Sequence, residues 1–146
     1  MNGNIRTTSP RKSRILSEAA RDEILARLSD ALAGRSEIVF AYVHGSFPTQ
    51  GPFRDIDLAV WVYPDQPPAR SPVDYEIDLG LDLQRSVGLP VDVRRLNEAP
   101  LGFRYHATRG HVILCRDDEV RHVCVERFRD AYWDFQPVAR THLVEV

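Results

Sequence analysis

Asp55 and Asp57 stand two residues apart in the run Asp55-Ile-Asp57-Leu-Ala-Val60, and Asp92 stands alone between Val91 and Val93. In an extended strand, residues i and i+2 share a face, so the first two carboxylates project together while Ile56 and Leu58 turn to the core. If the strand carrying Asp92 neighbours theirs, three carboxylates converge. Like charges a few ångström apart repel and raise one another's pKa, so such a cluster calls for a cation between its members. Oxygen donors of this type suit Mg2+, which takes one or two carboxylates, waters and substrate phosphates. Two such ions about 3.5–4 Å apart clamp the attacking and leaving oxygens of an in-line displacement. Gly45-Ser46 supplies the other half of the chemistry: glycine lets backbone approach a phosphate closely, and the serine hydroxyl and turn amides can bond its oxygens. Alone, a Gly-Ser pair says nothing, and Asp-x-Asp is commonly a solvated strand face. Combined, Gly45, Ser46, Asp55, Asp57 and Asp92 are parts for moving a nucleotidyl group from a nucleoside triphosphate.

The elements that must hold these residues follow from the apolar pattern. Ile38–Val43 is a short β-branched and aromatic run ending at His44-Gly45-Ser46, which predicts a buried strand entering a turn. Pro48, Gly51 and Pro52 make 47–53 a loop, and Asp55–Tyr63 reads as a second strand, antiparallel to the first across so short a connection. Val91–Leu96 is a third strand and Val112–Cys115 a brief fourth. Helices are expected over 17–33, with Ile24, Leu25, Leu28 and Leu32 on one stripe and Gly34 as its stop, and over 73–87, with Val73, Ile77, Leu79, Leu81 and Leu83 on a wide apolar face ended by Gly88 and Pro90. A short helix is expected over 100–109. A last one runs from Asp117 to about Phe135, with Val120, Val123, Cys124, Phe128 and Ala131 inward and Pro137 beyond it. Residues 1–14 carry Arg6, Arg11, Lys12 and Arg14 without an acid and read as a flexible basic arm; 15–146 read as one domain.

Composition narrows the function further. The chain has 146 residues, 43% hydrophobic and 27% charged, with a formal net charge of −2, the balance of a soluble domain rather than of a nucleic-acid binder with a strong basic excess. No apolar run reaches the ~20 residues of a membrane span, and the polar start argues against a secretory leader. Cys115 and Cys124 are too few for a disulfide framework or a zinc site, so a cytoplasmic setting is expected. Lys12 is the only lysine and lies in the arm, which excludes a Walker A lysine, a Schiff base and a Ser–Lys nucleophile. His106, His111, His122 and His142 have no ligand spacing, and His44 reads as a strand-end packing residue, with contact to a nucleotide as the alternative. Arg54, Arg94 and Arg95 flank the acidic strands, as charge balance or as phosphate contacts. Tyr132-Trp-Asp-Phe135 reads as core packing, or as part of a partner interface.

The segment Tyr42-Val-His-Gly45-Ser46-Phe-Pro-Thr-Gln-Gly-Pro-Phe-Arg54-Asp55-Ile-Asp57-Leu-Ala-Val60 resembles the motif of the DNA-polymerase-β-type nucleotidyltransferases. Its likeness is to the minimal nucleotidyltransferases, small domains of the MntA antitoxin type that are paired with HEPN-domain proteins. Val91–Pro100, Gly110–Leu114 and Tyr132–Phe135 extend the likeness to roughly residues 15–143. The resemblance implies an α+β, polymerase-β-like fold: a small mixed β-sheet with helices packed on one face and an acidic cleft on the other. It implies that Asp55, Asp57 and Asp92 bind two Mg2+ ions, that Asp92 also favours attack by the acceptor hydroxyl, and that Gly45 and Ser46 hold the triphosphate. By the same resemblance the protein is an antitoxin, in hetero-oligomer with a cognate HEPN ribonuclease toxin, that transfers AMP from ATP to a toxin tyrosine. Relatives commonly carry Arg and Gly in the loop after Gly-Ser, where this chain has Thr49, Gln50 and Gly51. Three other readings stand beside this one: a small-molecule nucleotidyltransferase of the aminoglycoside type, which would need a drug-holding helical domain that this sequence is not expected to supply; a non-catalytic antitoxin that acts by binding; and RNA binding through the basic arm.

Overall fold

In the computed structural model, residues 12–49, 51–65 and 70–145 are described, 137–145 by backbone alone. The elements run α1 (Glu18–Ala33), β1 (Ile38–His44), β2 (Ile56–Val62), α2 (Pro72–Val87), β3 (Val91–Arg95), α3 (Leu101–Ala107), β4 (His111–Cys115) and α4 (Asp118–Glu145). Residues 1–11 of the expected arm and Gln50 lie outside the described residues, while Arg14, at the arm's end, pairs with Phe53 in an isolated antiparallel bridge.

The four strands form one mixed sheet in the order β3-β2-β1-β4. β1 is antiparallel to β2 and to β4, and β2 is parallel to β3. A parallel neighbour needs a crossover, and α2 supplies it. α1 is capped by the Ser17 hydroxyl, which accepts from the Ala20 N–H, and α2 by Ser71, which accepts from Asp74. Gly88 ends α2 in the left-handed region at φ 74°, where only glycine is unstrained.

The expected fold class holds, but one feature of it is corrected: helices cover both faces of the sheet. On one face α1 and α2 bury Leu28, Leu32, Leu79 and Leu83 against Ile56, Leu58, Val60 and Val62. On the other, α3 and α4 pack Phe103, Ala107, Val120 and Cys124 on Phe40, Tyr42 and Ala59. This is why β1 is an unbroken apolar run with every residue before His44 buried: a strand covered on both faces has no polar side to show.

Three further expectations change. On α2 the buried row is Tyr75, Leu79 and Leu83, whereas Val73, Ile77 and Leu81 stay exposed. On α4 Phe128 packs inward, but Val123 and the aromatic pair Trp133 and Phe135 are exposed. Within that cluster Tyr132 stacks on Tyr105, with ring centroids 4.1 Å apart. Finally, α4 does not stop before Pro137; it continues to Glu145. The bond that Pro137 cannot donate belongs to the carbonyl of Trp133, a residue 53% exposed, where water can replace it.

Candidate active site

Strand register assembles the site. Asp57 on β2 lies opposite Asp92 on β3, and His44 at the end of β1 lies opposite Asp57. Directly opposed residues of neighbouring strands share a face, with strands about 4.8 Å apart. Asp92, Asp57 and His44 therefore form one row across three strands, on the side away from Ile56 and Leu58. β2 begins at Ile56, so Asp55 precedes the strand instead of opening it. Its charge still acts on Asp57, whose carboxyl is pushed up from 3.8 to about 6 by burial first, then by the Asp92 and Asp55 charges.

Gly45 is required here on two grounds. Its φ is +74°, and a Cβ at this position would land on the Asp57 Oδ2, with Asp57 Cγ only 3.2 Å away. Bare backbone thus borders the central carboxylate. The following turn is held by Thr49, whose N–H and hydroxyl both donate to the Ser46 carbonyl, at 3.3 and 2.7 Å. Ser46, Asp55 and Asp57 line one pocket of about 290 Å3 together with Arg54 and Ser13. Asp92, beside Asp57, opens instead on a groove between β3 and α2. Among the described residues no three His, Cys, Asp or Glu side chains close around a single point as an ion cage; the carboxylates form an open row.

The neighbours of this row were partly hidden in the sequence. His44 stacks edge-on against Phe103, with centroids 5.3 Å apart, the packing role expected of it. Burial lowers its pKa, against an opposing pull from Asp92. Arg94 lies over the Phe103 ring at 4.4 Å, while Arg95 is buried and pairs with Glu98. Arg21 was not legible at all. It is a buried arginine of α1 that donates to the carbonyls of Phe47 and Gly51, the latter at 2.6 Å, and sits against the rings of Phe47 and Phe53. It fixes both ends of the loop that follows Gly45-Ser46, and nothing in the pattern around Arg21 distinguishes it from a solvated helix arginine.

The donor set is all carboxylate oxygen, which suits a hard divalent cation. The Asp57 carboxyl is pushed up by burial first and by the Asp92 and Asp55 charges second, and a bound ion would relieve the second of these. Hard-cation donors beside bare glycine backbone and a serine hydroxyl are suited to phosphate chemistry.

Residues 26–119 match the polymerase beta nucleotidyltransferase family, and the chain belongs to that family. Among solved structures, it is similar to the complex of a tri-AMPylated Shewanella oneidensis HEPN toxin with its MNT antitoxin, at 15% identity and a TM-score of 0.62, over 89% of this chain and 98% of the matched one. A toxin–antitoxin structure with AMP-PNP gives 17% identity and a TM-score of 0.64, over 86% and 96%, and an MntA–HepT complex 15% and 0.61, over 88% and 97%. At these identities the likeness is one of fold. A search of curated proteins finds no match.

Proposed function

We propose that the chain is a Mg2+-dependent adenylyltransferase that moves AMP from ATP to a tyrosine hydroxyl of a HEPN ribonuclease partner, acting as its antitoxin in the cytoplasm. One observation carries the reading: parallel register sets Asp57 beside Asp92, with the bare backbone of Gly45 against the Asp57 carboxylate. Two features of the compared proteins support it, the AMPylated HEPN toxin and the bound AMP-PNP.

Asp55, Asp57 and Asp92 are the residues that would hold Mg2+, which when bound neutralises charge on the phosphates. Ser46 and the Gly45 turn bind phosphate oxygens. Asp92, exposed at the mouth of the α2–β3 groove, accepts the acceptor's proton. Free tyrosine has a pKa of about 10 and is a weak nucleophile at neutral pH, so this proton transfer matters to the rate. The phenolic oxygen attacks the α-phosphorus, the bond from that phosphorus to the bridging oxygen breaks, and pyrophosphate leaves. The products are tyrosyl-AMP and pyrophosphate.

The test is incubation with ATP labelled at the α-phosphate, Mg2+, and a HEPN protein, sought first among the neighbouring open reading frames. Label on a HEPN tyrosine, absent with an Asp55→Asn/Asp57→Asn variant, is the expected result. Toxin neutralisation that survives in that variant assigns the antitoxin effect to binding alone, and label on an aminoglycoside but not on protein assigns the small-molecule reading.

A further inference from the structure

We infer that the nucleotide's β- and γ-phosphates, and the pyrophosphate they become, are received by a second pocket on the other flank of Gly45, with Arg109 as its cation. This inference rests on the nucleotidyl-transfer reading and adds a phosphate subsite to it. The pocket, about 330 Å3, lies at the α3–β4 turn; His44, His106, His111 and Arg109 line it with Gly45 and Thr49, and no Asp or Glu lines it. Gly45 and Ser46 form the wall between the two pockets: Ser46 lines the carboxylate pocket, and Gly45 lines this one. A triphosphate whose α-phosphate sits at the carboxylates can pass over Gly45, where there is no side chain to block it.

Charge selects the direction. The loop 47–53 contains no cationic residue. Arg21, the buried cation behind it, is engaged by the Phe47 and Gly51 carbonyls. In the carboxylate pocket, Asp55 and Asp57 would be taken up by the ion they hold, and Arg54 is the one cationic side chain in the lining for a polyphosphate tail. In the second pocket it would meet a guanidinium, whose planar fork matches phosphate oxygens, and imidazole rings, each with an N–H to offer. Arg109 makes no ion pair among the described residues, and its guanidinium lies over the Tyr105 ring at 5.4 Å.

The position of Arg109 is built into the fold. Its neighbour Gly110 is pressed against the end of β1, so that a Cβ there would strike the Val43 carbonyl and come within 3.1 Å of the His44 Cβ. Only glycine at 110 lets the α3–β4 turn close on the Gly45 turn, and this brings Arg109 to the phosphate side.

Calorimetric titration of the full chain with Mg·ATP, inorganic tripolyphosphate and AMP tests the inference, using wild type, Arg109→Gln, Arg109→Lys and Arg54→Gln. Arg109→Gln should weaken ATP and tripolyphosphate by about tenfold to a hundredfold, the usual effect of a charge-assisted bond, leave AMP unchanged, and raise KM for ATP more than it lowers kcat. Arg109→Lys should recover part of the loss. Arg109 is exposed, so thermal melting should show both variants folded. Wild-type ATP affinity in Arg109→Gln, or the loss appearing in Arg54→Gln instead, overturns the subsite while leaving the adenylyltransferase reading intact. A wild-type chain that binds neither ATP nor tripolyphosphate overturns both.

Discussion

Asp57 and Gly45 are a matched pair, because the carboxylate occupies the space a side chain at 45 would need. The Asp57 carboxyl, raised from 3.8 to about 6, holds its proton more tightly in the folded chain than in the unfolded one. Ionising it therefore opposes folding: the opposition is absent below the lower value, builds as pH rises through the higher one, and is complete above it. Asp57→Asn should accordingly stabilise the fold at about pH 7.5 by about 1–2 kcal/mol, a figure reduced for a partly exposed group. The gain should vanish near pH 3.5, and nucleotidyl transfer should fall at least about a hundredfold. Urea unfolding at the two pH values checks the first claim, and an equal gain at both would sink the electrostatic account. Gly45→Ala should act the other way. The left-handed backbone costs about 1 kcal/mol for alanine, and the new methyl displaces the carboxylate, so activity should drop about a hundredfold, well beyond the small loss of stability. Paired melting curves and turnover measurements separate the two effects. These candidate residues could all be named from the sequence because glycine, serine and aspartate announce themselves by type and spacing. The contact between positions 45 and 57 could not, because it depends on how two strands align.

Elements were legible where their apolar pattern had one solution. β1 is an uninterrupted hydrophobic run and β3 alternates cleanly, with Val91, Val93 and Arg95 buried between exposed Asp92 and Arg94. α2 had two solutions: Val73, Ile77 and Leu81 are spaced as regularly as Tyr75, Leu79 and Leu83. What decides between them is Gly80, whose missing side chain lets the helix settle on β3, with the Val91 carbonyl 3.2 Å from where a Cβ would stand. A glycine within a helix usually counts against it, so the signal was easy to misjudge. Arginines were the least legible residues. Arg116 donates to the carbonyls of Ala33, Arg35 and Ile38, at 2.7, 3.1 and 2.8 Å, closing the C-terminal end of α1, which has no basic residue in its own last turn. Arg21 does the same for the loop after Ser46. Arg21→Met keeps the hydrophobic stem but leaves two carbonyls without their donor, and should cost about 2–3 kcal/mol. Its second signature should be faster proteolytic cleavage in 47–53 than a control variant of equal stability shows; equal cleavage would assign Arg21 to the core alone.

At the scale of the whole molecule, the site exists only when the chain is folded. Its carboxylates come from the start of β2 and from β3, and its glycine from the end of β1. The sequence left their meeting conditional on β2 and β3 being neighbours; that adjacency depends on α2 crossing over to a parallel strand, which no local pattern states. The same dependence makes metal binding a reporter of the fold. An ion that binds the folded chain and not the unfolded one stabilises by RT ln(1 + [L]/Kd), about 2.7 kcal/mol at a hundredfold excess over Kd, or roughly 5–10 °C in Tm for a chain of this size. In wild type, Mg2+ bound at the carboxylates would also relieve the repulsion around Asp57, so Tm should climb with Mg2+ concentration from a low starting point. Asp57→Asn and Asp92→Asn should start higher in chelator, because one charge of the cluster is gone, and should respond less to Mg2+, because one of the proposed ligands is gone. The two melting series must therefore converge or cross as Mg2+ rises. Sodium chloride at matched ionic strength, which screens exposed charges without coordinating them, should give less than half of the Mg2+ effect. Parallel curves for wild type and both variants would mean that the row of carboxylates does not bind the ion.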